Sequence, residues 1–276
     1  MSPYEVKDTL ISIEDVSLSL GDVPILKNVN GSVKDIVRPG CTQGQIVGIL
    51  GPSGIGKTQL SRILSGLQEP TSGRVSILDG SGNMVPVRAG LVGVVAQNYP
   101  LLRHRTVLGN LTLSASQAGA SRSDSRSLSM EKLSVFGLSD KADLYPSQLS
   151  GGQRQRVAIA QQLLCSERYV VMDEPFSGLD PLMKDKTCDL ISKVACLNEH
   201  NTIFVVSHDI RAVASISDSL WLIGRDMADD GTPIHGSRIQ IRYDLASMGL
   251  AWRPDIGSVP GFLGLCEEIR SRFSGL

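Results

Sequence analysis

A glycine-rich stretch, GPSGIGKT at residues 51–58, constrains the fold of this chain more than any other feature. It follows QIVGIL (45–50), a continuous apolar run that is typical of a strand buried on both faces. It precedes a segment in which Leu60, Ile63 and Leu67 recur at helical spacing. A loop of this pattern between a strand and a helix binds phosphate, because its backbone amides and the helix N-terminus form a concave anion site.

Three further apolar runs, LVGVVAQ, YVVMDEP and TIFVVSH, have the composition of buried strands. Stretches of helical period lie between them, and strands that alternate with helices predict a mostly parallel α/β sheet. The ends of the runs are polar and carry Gln97, the pair Asp173 and Glu174, and His208. Because ligands of such sheets bind at the carboxyl ends of the strands, we expect these side chains beside the phosphate loop.

The phosphate loop and the two carboxylates are expected to divide the work of nucleotide hydrolysis. Lys57 is predicted to neutralise the β- and γ-phosphates, and the Thr58 hydroxyl is predicted to hold Mg²⁺. Asp173 follows four apolar residues, where a carboxylate that served only the structure would be costly. We therefore expect Asp173 to hold the metal and Glu174 to accept a proton from the attacking water.

The stretch LSGGQ, at residues 149–153, opens a second helix and contains no charge of its own. Ser150 and Gln153 have the spacing of a capping box, which accounts for those two residues. It does not account for Gly151 and Gly152, each of which costs a helix about 1 kcal/mol relative to alanine. Two glycines at a helix start indicate that a phosphate or another backbone approaches closely. Because the loop at residues 51–58 accounts for one set of phosphates, the start of the LSGGQ helix is predicted to bind a different phosphate.

These motifs together resemble those of the ATP-binding-cassette (ABC) ATPases. The phosphate loop, VVAQNYPLL, LSGGQRQRVAIA, VVMDEPFSGLD and VVSH occur in the order and spacing of that family, over about residues 10–225. The resemblance implies an α/β fold with a P-loop NTPase core and mostly parallel sheet, an N-terminal antiparallel β portion and an inserted helical subdomain. It implies an ATPase domain at 1–230, with its helical subdomain at about 98–165, and a short C-terminal extension at 231–276.

The resemblance also assigns the site residues. His208 would contact the γ-phosphate, Gln97 would link Mg²⁺ and water to the transmembrane partner, and Asp180 would communicate with a second subunit. The residues expected to bind ATP are Gly51, Pro52, Ser53, Gly54, Ile55, Gly56, Lys57, Thr58, Gln59, Ser150, Gly151, Gly152, Gln153 and Asp180. The expected catalytic residues are Glu174, His208 and Gln97, and the expected metal ligands are Thr58, Gln97 and Asp173.

The same resemblance implies partners. Two such subunits, identical or different, would face each other head to tail, so that each LSGGQ helix caps the ATP held by the other. We expect separate transmembrane permease subunits, because no apolar run approaches the ~20 residues that cross a bilayer. A solute-binding protein is a further candidate partner. The chain would then lie at the cytoplasmic face of the cell (inner) membrane as a peripheral subunit.

Two alternatives to a transporter ATPase stay open at this point. One is a soluble ABC ATPase with no transport role, although the chain has neither a second cassette nor a long coiled coil. The other is a simple P-loop kinase, which leaves LSGGQ and SGLD unexplained. Within transport, the passage QNYPLLRHRTVLGNL resembles bacterial import ATPases and favours import over export.

Composition excludes some classes of function. The formal net charge of −1 gives no global field to attract nucleic acid, and no basic stripe with interleaved aromatics is present. The five cysteines form no CxxC pair, which is typical of reduced thiols in a cytosolic protein. The N-terminal residues lack the apolar core of a signal peptide.

Two positions depart from the family pattern. Leu20 stands where these ATPases usually place an aromatic residue that stacks on adenine, so base affinity and selectivity are expected to be weak. Gln59 stands where a second small hydroxyl residue usually lies near the α-phosphate.

Two other regions are predicted from their periodicity alone. Residues 114–129 are serine-rich and weakly apolar, and we expect a solvated, mobile helix or loop. The C-terminal extension contains SRIQIRYDL, which alternates like a strand, and FLGLCEEIRSRF, which has near-helical spacing; both are expected to pack on the core.

Overall fold

The computed structural model describes residues 4–38, 44–166, 168–198, 200–253 and 255–273. Its strands are β1 (Glu5–Leu20), β2 (Val23–Val37), β3 (Gln45–Leu50), β4 (Ser72–Leu78), β5 (Met84–Pro86), β6 (Gly93–Val95), β7 (Tyr169–Asp173), β8 (Thr202–Ser207), β9 (Ser219–Met227) and β10 (Pro233–Asp244). Its α-helices are α1 (Lys57–Leu64), α2 (Val107–Gln117), α3 (Arg122–Val135), α4 (Gly151–Cys165), α5 (Pro181–Ala195), α6 (Ile210–Ile216) and α7 (Pro260–Phe273). The strands form one sheet of order β5-β4-β1-β2-β10-β9-β3-β8-β7-β6.

Five parallel strands, β9, β3, β8, β7 and β6, form the half of the sheet that positions the candidate site. Side chains of β3 alternate between two cores. Ile46 and Leu50 pack with helices α2 to α7, whereas Val47 and Ile49 pack with α1 and the N-terminal strands. The continuous apolar sequence of β3 therefore reflects burial on both faces, as predicted. The run LVGVVAQ forms only the three-residue edge strand β6.

The other half of the sheet is antiparallel, as the family resemblance implied. β1 pairs with both β2 and β4, and β4 pairs with β5. The two halves are joined by β10, which is antiparallel to β9 and forms one parallel bridge to β2 between Ser237 and Leu26. The mixed α/β fold with a mostly parallel core is confirmed.

The helical lobe, formed by α2, α3 and α4, lies between β6 and β7 in sequence. The prediction of a solvated segment at 114–129 is wrong for one face, because Ser114, Ser125 and Ser129 are buried. Small side chains allow α2 and α3 to pack closely, and the hydroxyls bond back to main-chain carbonyls. Ser129, for example, donates to the carbonyl of Ser125 at 2.6 Å. A serine that satisfies itself in this way is buried at little cost.

The C-terminal residues complete the core as well as the sheet. Helix α7 buries Phe262, Leu265 and Ile269 in the same hydrophobic cluster as α5 and α6. β10, which follows residue 230, lies inside the sheet between β2 and β9. A domain boundary near residue 230 stays a prediction. Of the five cysteines, Cys41 lies outside the described residues. No described helix has the length and apolarity needed to cross a membrane.

Asp218 is a buried carboxylate at the end of the sheet opposite the phosphate loop. It accepts hydrogen bonds from the Ile46 amide, at 2.6 Å, and from the Trp252 indole. The guanidinium of Arg38 lies 4.3 Å from the centre of the Trp252 ring. Burial raises the pKa of Asp218 to about 6, and the hydrogen bond from Ile46 opposes that rise.

We predict that Asp218 makes the stability of the fold depend on pH. Because its pKa is higher in the folded chain than the ordinary value of 3.8, the folded state binds the proton more tightly. The stabilisation that protonated Asp218 gives the fold is fully present below pH 4 and is lost as the pH rises through 6. Relative to Asp218→Asn, the wild-type free energy of unfolding should fall by roughly 3 kcal/mol over this window. Urea unfolding at pH 4 to 7 measures the difference, and a difference independent of pH would contradict the prediction.

Candidate active site

The phosphate loop connects the end of β3 to the start of α1, as its sequence predicts. Gly54 and Gly56 have φ angles of 77° and 100°, a conformation that favours glycine. Gly51 is required for a different reason: a Cβ there would lie 2.8 Å from the carbonyl oxygen of Ile223 on β9. The loop is thus shaped by two left-handed residues and by close packing on the neighbouring strand.

Lys57, the first residue of α1, is buried beneath the loop. Its Nζ donates to the carbonyls of Gly51, at 2.7 Å, and Pro52, at 2.9 Å, and lies 3.8 Å from Glu174 Oε1. Burial lowers the pKa of Lys57, while the charges of Glu174 and Asp173 act in the opposite direction. The two carboxylates therefore favour a positive charge at the floor of an anion-binding loop.

Thr58 and Asp173 approach each other from α1 and from the end of β7. Thr58 Oγ1 donates to Asp173 Oδ1 at 3.5 Å. Burial raises the pKa of Asp173, and the Thr58 hydroxyl opposes the rise. Oxygen ligands of this kind suit Mg²⁺, which is commonly held by one or two carboxylates together with substrate phosphates. The described residues contain no cluster of three or more His, Cys, Asp or Glu that could hold a metal ion.

Glu174 follows Asp173 and turns back across the end of β8. Its φ of 50° is uncommon for a residue with a side chain, and its amide donates to the Val206 carbonyl at 2.8 Å. Glu174 Oε2 accepts from Ser207 Oγ at 2.8 Å, and Oε1 lies 3.0 Å from His208 Nδ1. Ser207 was missed by sequence reasoning, although it directly precedes His208 in VVSH.

Gln97 lies at the same edge but faces another partner. Its Nε2 donates to Ser177 Oγ at 2.9 Å. Among the described residues, Gln97 forms no hydrogen bond with Thr58 or Asp173. The following turn is anchored by Tyr99, whose hydroxyl donates to the Pro175 carbonyl at 3.0 Å. Burial raises the pKa of Tyr99 to about 12, so this donor stays protonated.

A cavity of about 370 Å³ opens beside the phosphate loop, on the side of the β1–β2 hairpin. It is lined by the residues Leu20, Ile25, Ser53, Gly54, Gly56, Lys57, Thr58, Gln59 and Glu174. Leu20 therefore shares a cavity with the phosphate loop, and Ile25 adds a second apolar side chain there. Sequence reasoning missed Ile25, since its place in the cavity depends on how the β1–β2 hairpin packs beside the phosphate loop.

The LSGGQ helix is capped within the chain as predicted. Ser150 Oγ accepts from the Gln153 amide at 3.3 Å, and Gln153 Oε1 accepts from the Ser150 amide at 2.8 Å. Within the part of the chain that the structure describes, residues 149–153 form no hydrogen bond with the phosphate loop. The helix start borders a cleft of about 960 Å³ between the helical lobe and α5, where the buried Gln155 Nε2 has no recorded partner.

Asp180 begins α5 and is the side-chain cap of that helix. Its Oδ1 accepts from the Met183 amide at 2.9 Å. The structure thus brings Lys57, Thr58, Asp173, Glu174 and His208 together, whereas Gln97, Asp180 and the LSGGQ helix start contact other groups of the chain.

Comparison with known proteins gives a consistent result. The family model described as ABC transporter matches residues 35–177. A methionine import ATP-binding protein of Rhodococcus jostii is 38% identical over 221 residues, which cover 77% of this chain and 63% of that protein. A glutamine transport ATP-binding protein of Escherichia coli is 34% identical over 231 residues, which cover 81% of this chain and 92% of that protein.

One solved structure is similar over almost the whole chain. It is CbiO1 from Clostridium perfringens, described as part of the ABC transporter complex CbiONQ. The TM-score is 0.71 at 22% sequence identity, with 96% of this chain and 100% of that chain covered. At this identity the likeness supports the fold.

We predict that the nucleotide base is held weakly, because Leu20 and Ile25 offer apolar contact without an aromatic face. Stacking of a base on an aromatic ring is worth about 1–3 kcal/mol. Leu20→Tyr should therefore tighten ATP binding about tenfold but leave the affinity for inorganic triphosphate unchanged, as measured by calorimetry. Val6→Tyr, at an exposed valine near the start of β1 and far from the hairpin turn, is the matched control. Equal gains for both ligands would mean that the base is held elsewhere.

Proposed function

The chain belongs to the ABC transporter family, and on that premise we propose that it is an ATP-hydrolysing subunit that drives import across a membrane. The observation that carries the proposal is the convergence of Lys57, Asp173 and Glu174 at one phosphate loop. A cation for the phosphates, a carboxylate for a metal and a second carboxylate for a proton are the groups that phosphoryl transfer to water requires.

We propose that ATP is bound with Mg²⁺, held by Thr58 and Asp173. Bound Mg²⁺ would supply neutralisation of charge on the β- and γ-phosphates. Gln97 is proposed as a further ligand through its amide oxygen, since its contact with Ser177 uses the amide nitrogen. The oxygen character of the Thr58 and Asp173 pair supports this assignment.

We propose Glu174 as the general base. Ser207 contacts one carboxylate oxygen, Oε2, and His208 contacts the other, Oε1, so the group is fixed in the orientation in which it would accept a proton from water. His208 uses Nδ1 for this contact, which leaves Nε2 to contact the γ-phosphate. Lys57 would bind the β- and γ-phosphates from beneath the loop.

The glycines of LSGGQ support a composite site shared by two subunits. A Cβ on Gly151 would meet its nearest neighbour, an Arg154 nitrogen, at 4.0 Å, and one on Gly152 would meet Met183 Cε at 3.5 Å. Both are ordinary contacts, and neither glycine has a positive φ. Nothing within the described chain therefore requires glycine there, and we propose that ATP held by a second subunit does, with Asp180 facing the same interface.

We propose that the dimer works at the cytoplasmic face of the cell membrane, bound to separate transmembrane permease subunits. The relatives matched here are named for methionine, glutamine and sulfate transport, so likeness alone selects no solute. A solute-binding protein is proposed as an additional partner of the complete transporter.

Glu174→Gln should preserve ATP binding and nearly abolish turnover. Loss of general-base assistance typically lowers a rate by about 10²–10⁴-fold. Phosphate release and calorimetry measure the two quantities separately. Glu131→Gln, on the exposed side of α3, is the matched control and should behave as wild type. A Glu174→Gln rate above half the wild-type rate would remove Glu174 from the role of base.

Two defective variants should complement each other if LSGGQ acts on the partner's ATP. Ser150→Arg blocks close approach to the LSGGQ helix start but leaves its own phosphate loop intact. Lys57→Ala disables the phosphate loop but leaves LSGGQ intact. With Glu174→Gln in both chains to prevent hydrolysis, neither variant alone should dimerise with ATP. Their mixture should dimerise, because one composite site then combines an intact loop with an intact LSGGQ.

Light scattering measures this dimerisation. Ser134→Arg, an exposed serine of α3, controls for the added charge and should dimerise with itself. A mixture that stays as monomeric as Ser150→Arg alone, while the Glu174→Gln protein dimerises, would overturn the composite site.

A further inference from the structure

The orientation of Glu174 depends on a buried serine. Ser207 ends β8, and its Oγ donates to Glu174 Oε2 at 2.8 Å. The same Oγ accepts from the amide of Asp209 at 3.2 Å. The hydroxyl therefore has a defined direction, and any movement of the Asp209 backbone changes the bond that it offers to Glu174.

Asp209 is in turn fixed by two helices. Its Oδ1 caps α6 by accepting from the Ala212 amide at 3.1 Å, and its Oδ2 accepts from Lys184 Nζ on α5 at 2.6 Å. Burial alone would raise the pKa of Asp209, yet the bonds from Lys184 and Ala212 hold the pKa below its ordinary value. The carboxylate is therefore anionic at neutral pH, and its ion pair with Lys184 is partly shielded from water.

Lys184 lies in the first turn of α5, four residues after the capping residue Asp180. Its amide donates to the Asp180 carbonyl at 2.9 Å. Three further hydrogen bonds then run from its side chain through Asp209 and Ser207 to Glu174. The helix start proposed to face the partner subunit is thus connected to the proposed base by polar contacts of ordinary length.

We propose that Lys184 is a positioning residue that links the placement of α5 to the orientation of Glu174. The inference rests on the proposed function, since it requires Glu174 to be the base and Asp180 to face a second subunit. When the partner fixes the start of α5, Lys184 holds Asp209, and Ser207 holds the carboxylate towards the water. Hydrolysis then depends on a correctly placed partner, although Lys184 itself touches no substrate.

The alternative is that Lys184 only ties α5 to α6. These helices also touch elsewhere, where Cys188 of α5 contacts the Ala212 carbonyl at 3.6 Å. A purely structural tie would lower the temperature of unfolding and the fraction of active protein, but the rate per ATP-binding site, with sites counted by calorimetry, would stay that of the wild type. A positioning residue lowers kcat and spares KM, because the phosphate loop that binds ATP is untouched.

The first experiment compares Lys184→Met, Lys184→Arg and Lys186→Met. Methionine keeps the length of the side chain and removes its charge, arginine restores the charge, and Lys186 is an exposed lysine on the same helix. For Lys184→Met we expect kcat to fall roughly tenfold, because misplacing a catalytic group by a fraction of an ångström is costly, while KM stays within about twofold. Lys184→Arg should recover most of kcat, and Lys186→Met should match the wild type.

The second experiment tests whether the effect passes through Ser207. Ser207→Ala should lower kcat by a similar factor, and the double variant with Lys184→Met should be no worse than Ser207→Ala alone, because both break one chain of contacts. Asp209→Asn keeps a side-chain oxygen to cap α6 and loses the charge. It replaces Lys184→Met in the cycle if that variant unfolds below the assay temperature.

Three results would overturn the inference: Lys184→Met with more than half the wild-type kcat, an equal loss in Lys186→Met, or multiplicative effects in the double variant. If any of these results is obtained and the wild-type protein still hydrolyses ATP, only the role of Lys184 is disproved. A wild-type dimer without ATPase activity, or an active Glu174→Gln variant, defeats the proposed function instead.

Discussion

Burial of the parallel strands on both faces is the constraint on which the candidate site depends. Alternate side chains of β3, β7 and β8 enter opposite cores, so these strands cannot slide or tilt without opening one core. Their carboxyl ends therefore leave the protein interior at fixed positions along one edge. The phosphate loop, the pair Asp173 and Glu174, and His208 are placed by these three ends, and local sequence only has to supply the side chains.

The polar groups at this edge are organised around one carboxylate. Glu174 is contacted by Lys57, Ser207 and His208, which come from α1, the last residue of β8 and the turn after it. Each contact restrains a different direction, and the left-handed backbone of Glu174 turns its side chain towards them. A residue in that conformation costs free energy, which the surrounding hydrogen bonds offset. Such strain at the proposed base is consistent with a functional constraint.

The C-terminal segment shows how packing can extend a fold beyond its recognisable motifs. β10 carries none of the catalytic groups, yet it lies between β2 and β9 and so joins the antiparallel half of the sheet to the parallel half. Trp252 reaches back to the buried Asp218, and Phe262 of α7 fills the core beside α6. The cavity that contains Leu20 is therefore held against the phosphate loop partly by residues that follow the last motif.

The sequence by itself determined the parallel core, the phosphate loop, the capping box of LSGGQ and the meeting of Lys57, Asp173, Glu174 and His208. These features depend on local patterns. In a parallel sheet, a loop that follows a buried strand and a polar residue that ends one both lie at the carboxyl edge of the sheet. Only the tertiary structure decided the remainder: that β10 enters the sheet, that Ser129 is buried, that Ile25 lines the cavity beside the phosphate loop, that Gln97 bonds to Ser177 and that Ser207 orients Glu174. Each of these joins residues far apart in the chain or is set by a neighbouring helix, and no short-range pattern records which partner a side chain will meet after folding.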